Sequence, residues 1–140
     1  MAFNGNLLEV KVNSSYSAFP TNLVSAESYK VTPCQRMESS ANRSTTGKLV
    51  RTTVSHTATK VELNTVVISN KDLKTIEDLL SSAYTDSLQR KLKARYYDPA
   101  SDSYKTGDFY VPDVDYEILR IDKTDNVVWY NNVRYAFIEY

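Results

Sequence analysis

The chain has 140 residues, a length that fits one domain and buries enough surface to fold without disulfides or metal ions. Its 17 basic and 17 acidic residues cancel, which argues against a domain whose main task is to neutralise nucleic-acid phosphates or anionic lipid. The single cysteine, Cys34, cannot form an internal disulfide, and no apolar run approaches the roughly 20 residues that a membrane span needs. Eleven tyrosines favour strands and protein–protein contacts.

The N-terminal third combines predicted strands with one long polar stretch. Alternation of Leu8, Val10 and Val12 predicts a first strand over residues 6–12, and residues 13–15 predict a turn. A second extended piece is expected over residues 23–31. Residues 34–48 are too polar to bury much apolar area, so they predict a long polar loop that ends near Gly47.

The middle of the chain switches from a strand period to a helical one. Residues 49–68 are rich in Thr and Val and predict a strand pair or one long bent strand, with Val61, Leu63, Thr65 and Val67 on one face. The helical spacing that follows predicts one α-helix over about residues 70–83. Ser69 is its expected N-cap, with Asp72 as the partner of that cap.

The C-terminal half predicts strands separated by polar turns. Four strands are expected, at residues 88–97, 104–111, 115–121 and 127–140. The first of them would face inward through Leu88, Leu92, Ala94 and Tyr96. Turns are expected at residues 98–102 and 122–126. Two asparagines at 131–132 indicate either a tight hairpin or a bulge.

Strands on both sides of one helix, without regular alternation, define an α+β domain that is mostly β. The expected architecture is a single β-rich domain over residues 1–140, either a β-sandwich or a partly closed barrel, flanked by the helix.

The residues that usually perform chemistry are scattered. His56 is the only histidine, so a Cys34–His56 dyad is far less plausible than a packed thiol and a lone histidine. Asp98 and Asp102 lack the glycine and closing glutamate of a calcium loop and are better explained by turn chemistry. The sequence therefore predicts no enzyme, and no catalytic, cofactor-binding or metal-binding residues.

One segment, residues 90–97, joins basic residues to aromatic ones. In a nucleic-acid-binding module its cations would follow phosphates and its tyrosines would stack on bases. The alternative is an amphipathic strand whose solvent-facing side is basic, where lysines also protect a strand edge from unwanted pairing. The zero net charge favours the second interpretation.

The order of several short motifs resembles a family of short proteins encoded among the tail genes of phages and prophages of Gram-positive hosts. The motifs are Lys93-Ala94-Arg95-Tyr96-Tyr97-Asp98-Pro99, then Lys105-Thr106-Gly107-Asp108-Phe109-Tyr110-Val111, then Trp129, and finally Phe137-Ile138-Glu139-Tyr140. The resemblance covers roughly residues 40 to 140. It implies a virion protein of the tail, made in the host cytoplasm, with a fold similar to that of tail-tube proteins.

The resemblance also implies partners. They would be further copies of the chain, as a homo-hexameric ring, and neighbouring tail proteins at the tail tube, distal tail or baseplate. No membrane is expected, and nucleic acid would only pass through the ring. A head–tail connector or head decoration protein makes the same physical demands and stays an alternative. The candidate contact residues lie in the polar loop and beside the 98–102 turn: Arg36, Glu38, Arg43, Lys48, Tyr97 and Tyr104.

Overall fold

The computed structural model of the protein describes residues 3–43, 47 and 49–140, with the backbone alone for residues 34–43 and 49–57. In this part of the chain one α-helix, α1 (Asn70–Ala83), and ten strands follow one another. The strands are β1 (Leu8–Val12), β2 (Ser15–Ala18), β3 (Lys30–Arg43), β4 (Leu49–Asn64), β5 (Ile68–Ser69), β6 (Lys91–Asp98), β7 (Ser103–Tyr110), β8 (Ile118–Asp122), β9 (Val127–Tyr130) and β10 (Arg134–Glu139).

The strands form two antiparallel sheets. The larger sheet has seven strands in the order β2-β1-β6-β7-β10-β4-β3, and the smaller has three in the order β5-β9-β8. Neither sheet closes on itself. The expected mostly-β fold with one helix is confirmed, and its two sheets are open.

The inward face of the larger sheet carries the core. Leu92, Ala94 and Tyr96 alternate inward along β6, as the sequence predicts, and all three are buried. Val61 and Leu63 of β4 are buried with them, but Val67 is exposed because the chain leaves β4 at Asn64. Period-two alternation thus identified the inward face wherever a residue stays within a paired strand.

Helix α1 covers part of this core and begins where the sequence predicts. The Ser69 hydroxyl accepts a hydrogen bond from the backbone N–H of Asp72, 3.4 Å away, so one free donor of the first turn is satisfied. Leu73, Ile76 and Leu80 recur at helical spacing and are buried. The helix therefore contributes an apolar stripe to the same core as the large sheet.

The predicted polar loop at 34–48 is wrong over residues 34–43. These residues are the second part of β3 and pair with β4 through registers such as Gln35 with Ala58 and Arg43 with Leu49. Cross-strand pairing satisfies backbone N–H and C=O groups whatever the polarity of the side chains, so a polar composition did not exclude a strand. Residues 44–46 and 48 lie outside the described residues.

Other boundaries also differ from prediction. The piece expected to be extended at 23–31 holds a 3-10 helix at Ala26–Ser28, directly after another at Thr21–Leu23, and β2 was not predicted. Leu88, predicted to face inward, is 92% exposed because it lies in the turn before β6. The strand predicted at 115–121 begins only at Ile118. Short local patterns placed these residues in the wrong element because tertiary pairing decides where a strand begins.

Residues 131–133 form neither a hairpin nor a bulge. They carry the chain from β9 in the smaller sheet to β10 in the larger one. Val133, Tyr135 and Phe137 of the C-terminal segment are fully buried, whereas Trp129 belongs to the other sheet and is half-buried. The single predicted strand at 127–140 is therefore two strands in two sheets.

Candidate assembly surface

Strand β8 is an exposed edge strand with apolar side chains. It pairs with β9 on one side only, and it is the outer strand of the smaller sheet. Ile118, Leu119 and Ile121 are 55%, 51% and 63% exposed. A free row of backbone donors and acceptors beside apolar side chains is a place where another chain can add a strand.

The segment that leads into β8 is anchored to the body by polar contacts. Asp113 and Tyr116 belong to this segment, which follows β7. Asp113 forms an ion pair with Arg90, and the hydroxyl of Tyr116 donates to the Glu77 carboxylate on α1. At the end of the segment, the backbone N–H of Asn131 donates to the Glu117 carbonyl, 2.8 Å away. These contacts fix where β8 begins and hold it at the edge.

Glu77 joins this segment to the core. It also accepts a hydrogen bond from the fully buried Tyr135, at 2.8 Å between the oxygens. Burial, and then the hydrogen bond to Glu77, raise the pKa of Tyr135 far above its ordinary value, and the same two causes raise the pKa of Tyr116. Both tyrosines are therefore neutral donors at physiological pH, which suits a structural junction rather than proton transfer.

The paired strands β3 and β4 continue past the end of β10, the strand that lies beside β4 in the sheet. Lys91, Tyr110, Ile138 and Lys60 stand in one row across β6, β7, β10 and β4. From this row β10 stops at Glu139, whereas β4 continues to Leu49 and pairs with β3. We call residues 36–57 the arm, of which the structure describes residues 36–43 in β3, residue 47, and residues 49–57 in β4. An isolated pair of strands is marginally stable in water, so such an arm benefits from a further partner.

The predicted contact residues lie at one end of the large sheet. Arg36, Glu38 and Arg43 belong to the arm, and Lys48 is outside the described residues. Tyr97 and Tyr104 pair across β6 and β7, with ring centroids 5.7 Å apart. The registers show that β7 runs from the Tyr110 row towards the same end of the sheet as the arm.

The two tyrosines contact the N-terminal segment of their own chain. The Tyr104 hydroxyl bonds Asn4 Oδ1 and the Asn6 carbonyl, both at 2.6 Å, and the Tyr97 ring packs against Phe3. They thereby order residues 3–6. Their role in contact with another chain stays a prediction.

The basic residues of strand 90–97 are engaged within the chain. Arg90 pairs with Asp113, Lys93 with Asp108 at 3.2 Å, and Arg95 with the buried Glu9 at 2.5 Å. Lys91 lies over the ring of Tyr140, 4.6 Å from its centroid. Neutralised cations attract phosphates weakly, so the amphipathic-strand interpretation fits the contacts better than a nucleic-acid surface.

The turn carboxylate Asp98 is buried and acts in local structure. It accepts hydrogen bonds from the Ala100 N–H and the Ser101 hydroxyl and pairs with Lys105 at 3.0 Å. Among the described residues no cluster of His, Cys, Asp and Glu could hold a metal ion. In the same part of the chain, no helix is long and apolar enough to cross a membrane.

The exposed edge was only partly visible in the sequence. The run Ile118-Leu119-Arg120-Ile121 was assigned to a strand, but nothing local showed that this strand would lie at an edge. A run of apolar residues between Glu117 and Asp122 is the one signal that could have identified it.

The fold and the surface together define a mostly-β protein with open sheets, one helix and a free apolar edge. The model of a family of unknown function, DUF6711, matches residues 1–140, and the chain belongs to this family.

A solved structure with a similar fold is a chain described as the tail of an empty GTA particle, computed with helical refinement and C6 symmetry. The TM-score is 0.54 with 10% sequence identity, over 99% of this chain and 95% of that chain, and the likeness concerns the fold alone. No functionally curated protein matches the chain.

Proposed function

We propose that the protein is a non-enzymatic structural component of a phage or prophage tail, built from copies of itself. The observation that supports this most directly is the shared fold with a chain of a C6-symmetric tail. The similarity spans 99% of this chain and 95% of that one, so it concerns a whole subunit rather than a common local motif.

The surface of the chain suits self-assembly in a ring. A cyclic ring needs two different surfaces on each subunit, because every copy contacts its two neighbours in opposite senses. The free edge of β8 and the arm are two such surfaces, and they belong to different sheets. In this proposal six copies form each ring, at the tail tube, the distal tail or the baseplate, and other tail proteins contact the ring.

The described contacts favour this function over the nucleic-acid alternative. The cations of strand 90–97 are paired with Asp113, Asp108 and Glu9, so they contribute little free positive potential. The cleft of about 450 Å³ beside Glu77 is lined by Tyr116 and Tyr135, which both donate to the Glu77 carboxylate, and a carboxylate engaged in this way suits structure better than catalysis.

The test combines solution mass with location. The full chain is purified, its mass is followed over a concentration series by native mass spectrometry, and large species are imaged by electron microscopy. Particles induced from a host that encodes the protein are purified and analysed by mass spectrometry. We expect rings or tubes with sixfold symmetry and many copies in the tail. A protein that stays monomeric and never occurs in particles would overturn the proposal, and its location at the head would select the connector or decoration alternative.

A further inference from the structure

The neutral chain separates its charges between two regions. The arm, residues 36–57, has four basic residues and one acidic residue: Arg36, Arg43, Lys48, Arg51 and Glu38. Because the whole chain has 17 residues of each sign, the remainder of the chain carries an excess of three acidic residues. The zero net charge of the whole chain is therefore the sum of a basic arm and an acidic remainder of the chain.

The acidic excess is concentrated around the free edge. We call residues 113–125 the acidic segment, because it has five acidic and two basic residues: Asp113, Asp115, Glu117, Asp122, Asp125, Arg120 and Lys123. Four of the five acidic residues are exposed. Among the described residues, the carboxylates of Asp115 and Asp125 have neither an ion pair nor a hydrogen bond, and both side chains are exposed.

The arm and the acidic segment leave the large sheet in opposite directions. The arm projects towards the end of the sheet where β7 begins at Ser103. The acidic segment follows the other end of β7, after Tyr110, and the chain returns from it to β10 at Arg134. Two complementary regions at opposite ends of one subunit favour a head-to-tail contact between subunits.

We propose that the arm of one copy docks along the acidic segment of a second copy and adds its backbone to the free edge of β8. This inference rests on the proposed self-assembly and names the two surfaces that meet. Added strands gain main-chain hydrogen bonds, and burial of Ile118, Leu119 and Ile121 supplies the apolar contribution. The opposite charges select orientation and speed association.

The decisive experiment is a charge exchange in the full chain. One variant reverses three positive charges of the arm (Arg36→Glu, Arg43→Glu, Arg51→Glu). A second variant reverses three negative charges of the acidic segment (Asp115→Lys, Glu117→Lys, Asp125→Lys). A third variant combines all six changes. We expect each single set to raise the concentration needed for assembly by about tenfold or more, because like charges then meet. The combined variant should assemble nearly as the unchanged chain does.

Two controls separate this contact from general effects of charge. Reversal of two exposed cations on α1, Lys71→Glu with Lys74→Glu, should leave assembly unchanged. The variant Asp115→Lys with Asp125→Lys alters only carboxylates without described partners, so it keeps the test valid if the triple change prevents folding. Circular dichroism shows which variants fold. Raising the salt concentration should weaken assembly of the unchanged chain, because exposed charges are screened.

The outcomes distinguish the inference from the proposed function. If the unchanged chain never assembles, the proposed function fails and the inference with it. If it assembles, and folded charge-reversed variants assemble at the same concentration, only the inference is overturned. The inference alone also fails if both single sets block assembly but the combined variant does not restore it.

Discussion

Glu139 occupies the position where β10 ends and β4 continues into the arm with β3 as its paired neighbour. One carboxylate oxygen, Oε1, accepts a hydrogen bond from the backbone N–H of Thr59 at 2.9 Å. The other oxygen, Oε2, would lie 2.8 Å from a Cβ on Gly107. Glycine at 107 therefore leaves space for a carboxylate that satisfies a backbone donor of β4 where its neighbour strand stops.

Gly107→Ala should destabilise the protein by about 1–2 kcal/mol, because the new methyl group displaces a carboxylate that satisfies a backbone donor. Urea denaturation of the two proteins measures the difference. The matched background is Glu139→Ala, in which the added methyl group meets only Cε2 of the Phe109 ring, 3.2 Å away, so that the Gly107→Ala change should destabilise the protein clearly less. An equal cost in both backgrounds would show that the Glu139 contact is not the reason for glycine.

The buried carboxyl group of Asp98 leads to a second prediction at the residue scale, which concerns how the stability of the fold depends on pH. Burial opposes ionisation of its carboxyl, but hydrogen bonds from Lys105, the Ala100 N–H and Ser101 outweigh burial and lower its pKa below the ordinary value. The unfolded chain therefore binds a proton at this group more readily than the folded chain does. The stability that Asp98 contributes is present above the ordinary pKa and is lost as the pH falls through the lowered one.

Asp98→Asn should lower the free energy of unfolding at pH 7 by about 1–2 kcal/mol, because the ion pair with Lys105 is lost while an amide can still accept in the turn. Below about pH 4, near the ordinary pKa of an aspartate, the difference between the two proteins should shrink. The pKa of Glu62 is also lowered, by Lys60 and Arg134, so the variant keeps part of the acid sensitivity. Thermal unfolding across a pH series measures both effects, and a difference that does not change with pH would refute this role.

The sequence predicted residues whose role is local and missed those whose role is tertiary. The turn function of Asp98 follows from its place before Pro99 and was expected. No such local signal marks Gly107, because glycine is required there by the carboxylate of Glu139, which lies 32 positions further along the chain. Glu77 of α1 likewise has no local signal of its role, because its two tyrosine partners come from β10 and from the segment before β8.

At the scale of elements, prediction succeeded where side-chain periodicity and burial agree. Helix α1 has a capping serine and an apolar stripe, and β6 alternates against the core, so both were identified from local pattern. Residues 49–57 of the arm were predicted as strand, but residues 36–43 were missed, because they are held by pairing with β4 and pairing leaves no hydrophobic period to detect. Strand β2 was missed for a similar reason, since none of its four residues is buried.

The arm can be removed without disturbing the sheet. Gln35 pairs with Ala58, so replacing residues 36–57 by a two-residue Asn-Gly turn closes a short hairpin at an existing register position. Removal of residues 36–46 alone would leave half of β4 without its partner, which makes it the poorer experiment. The shortened chain should remain folded, because the core that the described side chains form lies outside the arm and is kept whole.

We expect the shortened chain to be monomeric under conditions in which the full chain assembles. Analytical ultracentrifugation measures the mass, and circular dichroism with thermal unfolding verifies the fold. A shortened chain that still forms the same assemblies would show that the arm makes no required contact between subunits.

At the scale of the whole molecule, the sequence did not reveal how the strands divide between two sheets. Asn131 and Asn132 look like a hairpin or a bulge, yet the chain there crosses from β9 to β10. The crossing is fixed by Val133, which is buried and whose carbonyl accepts from the N–H of Thr65 at 2.9 Å. Such a contact joins positions 68 residues apart, and no local pattern encodes it. The same division places β8 at an edge.

The edge position of β8 leads to a prediction about apolar contact rather than charge pairing. Ile121 is 63% exposed on this strand, and Leu88 is 92% exposed in the turn before β6. A lysine at either position stays in water in the monomer, so Ile121→Lys and Leu88→Lys should each change the free energy of unfolding by less than about 0.5 kcal/mol. In a closed interface, by contrast, a buried unpaired ammonium is costly.

Ile121→Lys should therefore weaken assembly strongly, whereas Leu88→Lys should leave it unchanged, because only Ile121 lies on the free edge. Native mass spectrometry over a concentration series compares the two variants, and urea denaturation confirms that both monomers are equally stable. Ile118→Lys is an independent repeat on the same strand, with Ile118 55% exposed. If the Ile121 variant assembles as strongly as the unchanged chain, β8 is excluded as a subunit contact. Loss in both would extend the interface to the turn before β6, next to the Arg90 that holds the segment leading into β8.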